Sequence, residues 1–148
     1  MNAADLEERL RAVLLRHEDV CYAYLYGSRA LGRSRSDSDV DVAIAICPPE
    51  RAPRVWLDVM GELAVAAAPL EVDCLLLNDA PLGLRFAIVR DGRPLVDRDR
   101  ARRLAFEVGA RREYWDWEPY RALHDQALLR RLREGTYGTR DARSLAQG

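Results

Sequence analysis

Lysine is absent from this 148-residue chain: all 23 basic side chains are arginine, set against 24 Asp and Glu for a net charge of −1. That balance excludes a global basic field of the kind that holds nucleic acid by its phosphates, so no direct nucleic-acid binding is expected. It also leaves arginine, histidine or a metal ion to supply positive charge at a reaction site. Cysteine is scarce and odd in number, with only Cys21, Cys47 and Cys74. They are far apart and show no metal-ligand spacing. Each lies in or beside an apolar run, which predicts three buried free thiols in a reducing cytosol. Long apolar stretches are also missing. No run approaches the roughly 20 residues needed to cross a bilayer. Residues 1–10 are polar and lack the apolar core of a signal peptide. A cytoplasmic protein with no membrane contact is therefore expected.

What is present reads as one globular domain. Hydrophobic residues make up 49% and charged residues 32%, an ordinary globular composition. A domain of this size buries roughly 70% of its unfolded surface, enough to fold without a disulfide or structural metal. Leu6, Leu10, Val13 and Leu14 mark an amphipathic helix ending near His17. Cys21–Tyr26 alternates as a strand, with Tyr22, Tyr24 and Tyr26 on one face and Cys21, Ala23 and Leu25 on the other. Val40–Ile46 is a second strand, ended by Cys47-Pro48-Pro49. Trp56, Val59, Met60, Leu63 and Ala67 follow helical spacing until Pro69. Glu71–Leu77 is a third strand, Pro81–Val89 a short helix, Leu95-Val96 an edge strand, and a further helix begins near Ala101. Pro119 opens a last helix to about Arg133, followed by a tail. The order predicts an α+β fold: a small mixed β-sheet with helices on one face, plus C-terminal helices. Residues 1–98 would form the core, 99–134 a helical extension of the same domain, and 135–148 a flexible tail.

One segment concentrates chemistry. Gly27-Ser28 falls where the first strand ends, so glycine permits a sharp turn, and the exposed backbone N–H groups and the Ser28 hydroxyl can hold phosphate oxygens. Arg29, Arg33 and Arg35 place guanidinium groups on the same loop, suited to polyphosphate. Asp39 and Asp41 follow two residues apart at the start of the second strand, which sets both carboxylates on one face and turns Val40 and Val42 into the core. Side-by-side carboxylates repel unless a cation lies between them, and Mg²⁺ prefers such oxygen ligands. Asp73 is a third acid, set in the apolar run of the third strand, where burial is costly unless it is paired or metal-bound. If the third strand lies beside the second, the three acids form a triad.

The pattern Gly27-Ser28 followed by Asp39-x-Asp41, with Asp73 in a later strand, resembles the polymerase-β-type nucleotidyltransferase superfamily in its short form, the minimal nucleotidyltransferase (MNT) domain. Leu84–Asp97 resembles that family's closing helix and edge strand. The stretch Ala101–Pro119 is similar to the C-terminal part of MNT antitoxins, which bind toxins of the HEPN class and in several members adenylylate a toxin tyrosine. The resemblance covers most of residues 1–134. It implies an enzyme that uses ATP as substrate and two Mg²⁺ ions to move AMP onto a hydroxyl of a HEPN-type toxin. Gly27 and Ser28 would hold the β- and γ-phosphates. Asp39 and Asp41 would ligate both metals, Asp73 would ligate one and orient or deprotonate the acceptor, and Arg29 and Arg33 would touch phosphates. Two other readings stay open: transfer to a small alcohol such as an aminoglycoside, and a non-catalytic antitoxin that only blocks its toxin. The sequence leaves the oligomeric state open, whether homo- or hetero-oligomer.

Other polar and aromatic residues have plainer readings. Asp37 precedes the strand and is a loop acid. His17 and His124 are surface or packing histidines. Tyr114, Trp115, Trp117 and Tyr120 pack C-terminal helices or meet a partner protein.

Overall fold

In the computed structural model, residues 2–33, 35, 38–117 and 130 are described. Asp37, Tyr120, His124, the helix expected after Pro119 and the expected tail lie outside them. Among the described residues there are five α-helices and four strands. They are α1 (Ala3–Leu15), β1 (Val20–Tyr26), the single turn α2 (Gly27–Ala30), β2 (Val40–Ile46), α3 (Ala52–Ala67), β3 (Val72–Leu76), α4 (Leu82–Asp91), β4 (Arg93–Asp97) and α5 (Arg100–Asp116). The chain forms two compact units, Met1–Arg112 and Glu113–Gly148.

The first unit is built on a mixed sheet of order β3-β2-β1-β4. β1 pairs antiparallel with β2 and β4, while β2 and β3 run parallel. A parallel pair cannot be joined by a hairpin, and α3 supplies the crossover. Alternation along β2 assigns its residues to the two faces. Val40, Val42, Ile44 and Ile46 join Leu6, Leu10, Leu14, Val59 and Leu63 in the larger core, packed against α1 and α3. Ala43 and Ala45 join Tyr22, Tyr24 and Ile88 on the opposite face, where Leu84 and Phe106 also pack. Trp56, on α3, donates its indole N–H to the Cys74 carbonyl at 2.8 Å, tying the crossover helix to β3.

Two expectations are corrected. Cys21 does not share a face with Ala23 and Leu25. A register shift between Val20 and Tyr22 puts Cys21 on the same face as Tyr22, because a bulge interrupts strict alternation. Cys21 and Cys47 are also not free thiols. They are joined as a disulfide, with Cα atoms 6.0 Å apart across 26 residues of sequence. Pairing of Val20 with Ile46 brings these flanking cysteines together, whereas Cys74 stays free and buried, its thiol pushed up to about 12 by burial and then by Asp73.

α5 is fixed to the sheet by a polar network. The buried Tyr24 hydroxyl donates to Glu107 Oε1 at 2.8 Å. Arg103 donates to the same oxygen and to Asp97 Oδ2, both at 2.8 Å. Burial, then the Glu107 hydrogen bond, raises the Tyr24 phenol, so it remains a donor. Arg103 and Glu107 are both largely shielded from solvent, so these charge-assisted bonds are stronger than surface pairs. Glu107→Ala should lower stability by about 2–3 kcal/mol in urea unfolding, and Tyr24→Phe by about 1 kcal/mol. Equal midpoints for the two variants and the parent would show that α5 is held by apolar packing alone.

In the second unit, the Trp117 amide donates to the Glu113 carbonyl at 3.1 Å, continuing the last turn of α5. Tyr114 and Trp115 meet edge to face at 6.3 Å, and Trp115 and Trp117 are exposed.

Candidate active site

β1 ends at Tyr26, and the chain turns at once through α2. Gly27 makes this possible in two ways. Its φ is +72°, in the left-handed region that glycine adopts without steric cost. A Cβ there would lie 2.3 Å from Asp41 Oδ2, so the backbone of the turn lies directly against the Asp41 carboxylate. Ser28 follows on the exposed side of the turn. The turn is closed by Gly32-to-Arg29 and Arg33-to-Ser28 backbone bonds of 3.3 and 2.9 Å.

The loop then returns to β2, and Arg29 fastens it. Its Nη2 donates to the Ser38 carbonyl at 2.7 Å, and its Nε lies within hydrogen-bonding distance of the Ser38 and Asp39 carbonyls. The guanidinium expected to face phosphate thus holds the backbone that presents Asp39. Arg33 is exposed. It lies close enough to help lower the Asp91 carboxyl, after the larger effect of the Arg90 hydrogen bond. Arg35 is exposed, and its amide donates to Ser38 Oγ at 2.9 Å.

The strand register aligns three side chains in a row. Tyr26 is paired with Asp41 across β1–β2, and Asp41 with Asp73 across β2–β3. Asp39 lies one pleat before Asp41, just ahead of the strand. Asp39 and Asp73 are exposed and Asp41 is half-buried. Burial raises the Asp41 carboxyl, and the charges of Asp73 and then Asp39 raise it further. The Tyr26 phenol is pushed up to about 12, first by burial and then by Asp41 and Asp73. Negative charge is thus concentrated at one end of one sheet face.

This donor set fits a divalent cation. Among the described residues no three acids, histidines or cysteines are drawn together into a ready ligand cluster. The backbone positions nevertheless suit one. Paired strands run about 4.8 Å apart and alternate residues on a strand about 6.6 Å apart, so two torsions per aspartate suffice to converge the carboxylates. Like charges close enough to disturb Asp41 are what a hard cation would relieve.

Tyr26 was not legible as a site residue. Its alternation with Tyr22 and Tyr24 marks a face, but only the register puts it opposite Asp41. A signal was available in its position immediately before Gly27.

The fold is that of the nucleotidyltransferases. Residues 8–101 match the sequence profile of the family described as Polymerase beta, Nucleotidyltransferase, and the chain belongs to that family. No curated protein matches the chain. Similar solved structures include a toxin–antitoxin with AMP-PNP, at 22% identity and TM-score 0.68, covering 82% of this chain and 98% of that one. Another is a tri-AMPylated Shewanella oneidensis HEPN toxin in complex with an MNT antitoxin, at 19% identity and TM-score 0.66, covering 86% and 99%. A third, the toxin–antitoxin MntA-HepT, is 20% identical with TM-score 0.63, covering 83% and 97%. At these identities the likeness is one of fold.

Proposed function

We propose that this chain is an antitoxin that transfers AMP from ATP to a tyrosine hydroxyl of a HEPN-type toxin. The observation that carries the reading is the packing of the Gly27 turn against Asp41, with Asp73 in register beside it. The glycine turn and two carboxylates thus lie together at one end of the sheet. The similar structures containing AMP-PNP and an AMPylated HEPN toxin support the choice of nucleotide and acceptor.

Asp39, Asp41 and Asp73 would hold Mg²⁺, which when bound neutralises triphosphate charge and polarises the phosphorus–oxygen bonds. The chain's own residues do the positioning. The N–H groups of the Gly27–Ser28 turn and the Ser28 hydroxyl hold the β- and γ-phosphates. Arg33 adds charge on the solvent side, and Arg29 keeps the loop closed so that Asp39 faces the nucleotide. Asp73 orients the acceptor hydroxyl and takes its proton. The acceptor oxygen bonds to the α-phosphorus as the bond to the β-phosphate oxygen breaks, and pyrophosphate leaves. Such chemistry needs alignment and charge neutralisation, with no covalent intermediate on the protein.

The test is incubation with Mg²⁺-ATP and a HEPN-type protein encoded beside this chain, read by intact-mass spectrometry. One or more AMP additions on the toxin are expected, and none with Asp39→Ala/Asp41→Ala. An unmodified toxin with AMP on an aminoglycoside would favour the small-molecule reading. An unmodified toxin that is still inhibited would favour steric blocking.

A further inference from the structure

The face that carries the acids also carries a cavity at the other end of β2. It has a volume of about 330 Å³ and is lined among others by Tyr22 and Cys47 at the strand ends, Arg85 of α4, and Arg102, Ala105 and Phe106 of α5. From Asp41 to Ile46, which also lines it, is five residues of strand, about 16 Å at the usual rise. The cavity is thus set apart from the acids along the strand.

The lining has a definite chemical character. Among the described residues its lining includes two guanidinium groups, Arg85 and Arg102. Arg102 reaches Cys47 Sγ at 3.1 Å and pairs with Asp99 at 3.3 Å in a solvent-exposed ion pair, which screens its charge weakly. The Tyr22 phenol is pushed up to about 12 by burial, so it stays neutral and able to donate. Tyr22 and Phe106 lie 5.6 Å apart with ring planes tilted by 38°, giving an aromatic wall. Cationic, hydrogen-bond-donating and aromatic groups around one cavity suit an anion that carries an apolar body. The volume is at the lower end of small-molecule sites, which span about 300–1,000 Å³, and sets the ligand's size.

We propose that this cavity is a second ligand site, separate from the acid cluster, for a small organic anion: an oxyanion group on a flat apolar body of nucleoside-monophosphate size. Arg102 holds the oxyanion, and Tyr22 and Phe106 face the apolar part.

The test uses the full chain carrying Asp39→Asn/Asp41→Asn, without Mg²⁺, and AMP as the probe with adenosine as its neutral counterpart. The acid site is disabled in this background, so the outcome is independent of whether the chain transfers AMP. Calorimetry should show AMP binding at millimolar concentration or tighter, and adenosine at least about tenfold weaker. Amide NMR shifts should cluster at Tyr22, Cys47 and Phe106. Arg102→Glu, which reverses an exposed charge, and Ala105→Trp, which fills the cavity from an exposed helix position, should each weaken AMP by about tenfold or more. No AMP binding, equal binding of AMP and adenosine, or AMP binding untouched by both substitutions would overturn the proposal.

Discussion

Asp41→Asn should abolish transfer while making the metal-free protein more stable. In the proposed function Asp41 is a metal ligand, whose removal forfeits several kcal/mol of transition-state stabilisation, so activity should fall by at least about 10²–10³-fold. Stability should move the other way. Burial and two neighbouring acids raise the Asp41 carboxyl in the folded protein. A raised folded-state value means that the ionised form opposes folding, so neutralising it by substitution relieves that opposition. The thermal midpoint of the metal-free variant should rise by a few degrees. The metal-free parent should itself gain stability as pH falls from neutral toward the raised carboxyl range, and Asp41→Asn should not share that gain. A variant less stable than the parent at neutral pH would show that the carboxylate is already compensated by groups other than a metal.

Gly27→Ala should be nearly as damaging, for steric rather than electrostatic reasons. The left-handed backbone costs an L-residue about 1–2 kcal/mol. The new methyl would also fall 2.3 Å from Asp41 Oδ2, so turn and carboxylate cannot both keep their places. A loss of transfer of about 10²-fold is expected, with a drop in thermal midpoint. Gly32 is the internal control: its φ is +69°, yet a Cβ there meets nothing within 4 Å. Gly32→Ala should show a similar stability loss and keep transfer within a few-fold. Equal loss of activity in both variants would mean that backbone strain, not contact with Asp41, explains the effect.

Parts of this architecture were legible because a local pattern determines them. β2 occupies Val40–Ile46 as the alternation and the following Pro48-Pro49 require. α3 buries Val59, Leu63 and Ala67 along the face that their spacing marks. The spacing of Asp39 and Asp41 and the apolar run around Asp73 mark three acids, and the register sets Asp73 beside Asp41 and the Gly27 turn against it. What remained illegible depends on register and side-chain direction. The Cys21–Cys47 pair and the Tyr26–Asp41 pair both follow from which residue of β1 faces which residue of β2, and spacing does not encode that. The bulge that turns Cys21 toward the Tyr22 face leaves no local mark. Arg29 has the composition of a phosphate ligand, but two backbone carbonyls nine and ten residues onward engage its guanidinium.

The parallel pairing of β2 and β3 gives α3 a role at a distance. Asp41 and Asp73 belong to strands that the chain reaches on either side of that helix, which packs on the far face of the sheet. Their alignment is therefore measured out by a rod that touches neither carboxylate. Sliding β3 by one residue would turn Asp73 to the opposite face and put Cys74 or Val72 beside Asp41. The seating of Val59 and Leu63, and the bond from Trp56 to the Cys74 carbonyl, keep that rod at its length. The core behind the sheet thus acts as the gauge that spaces the charges in front of it.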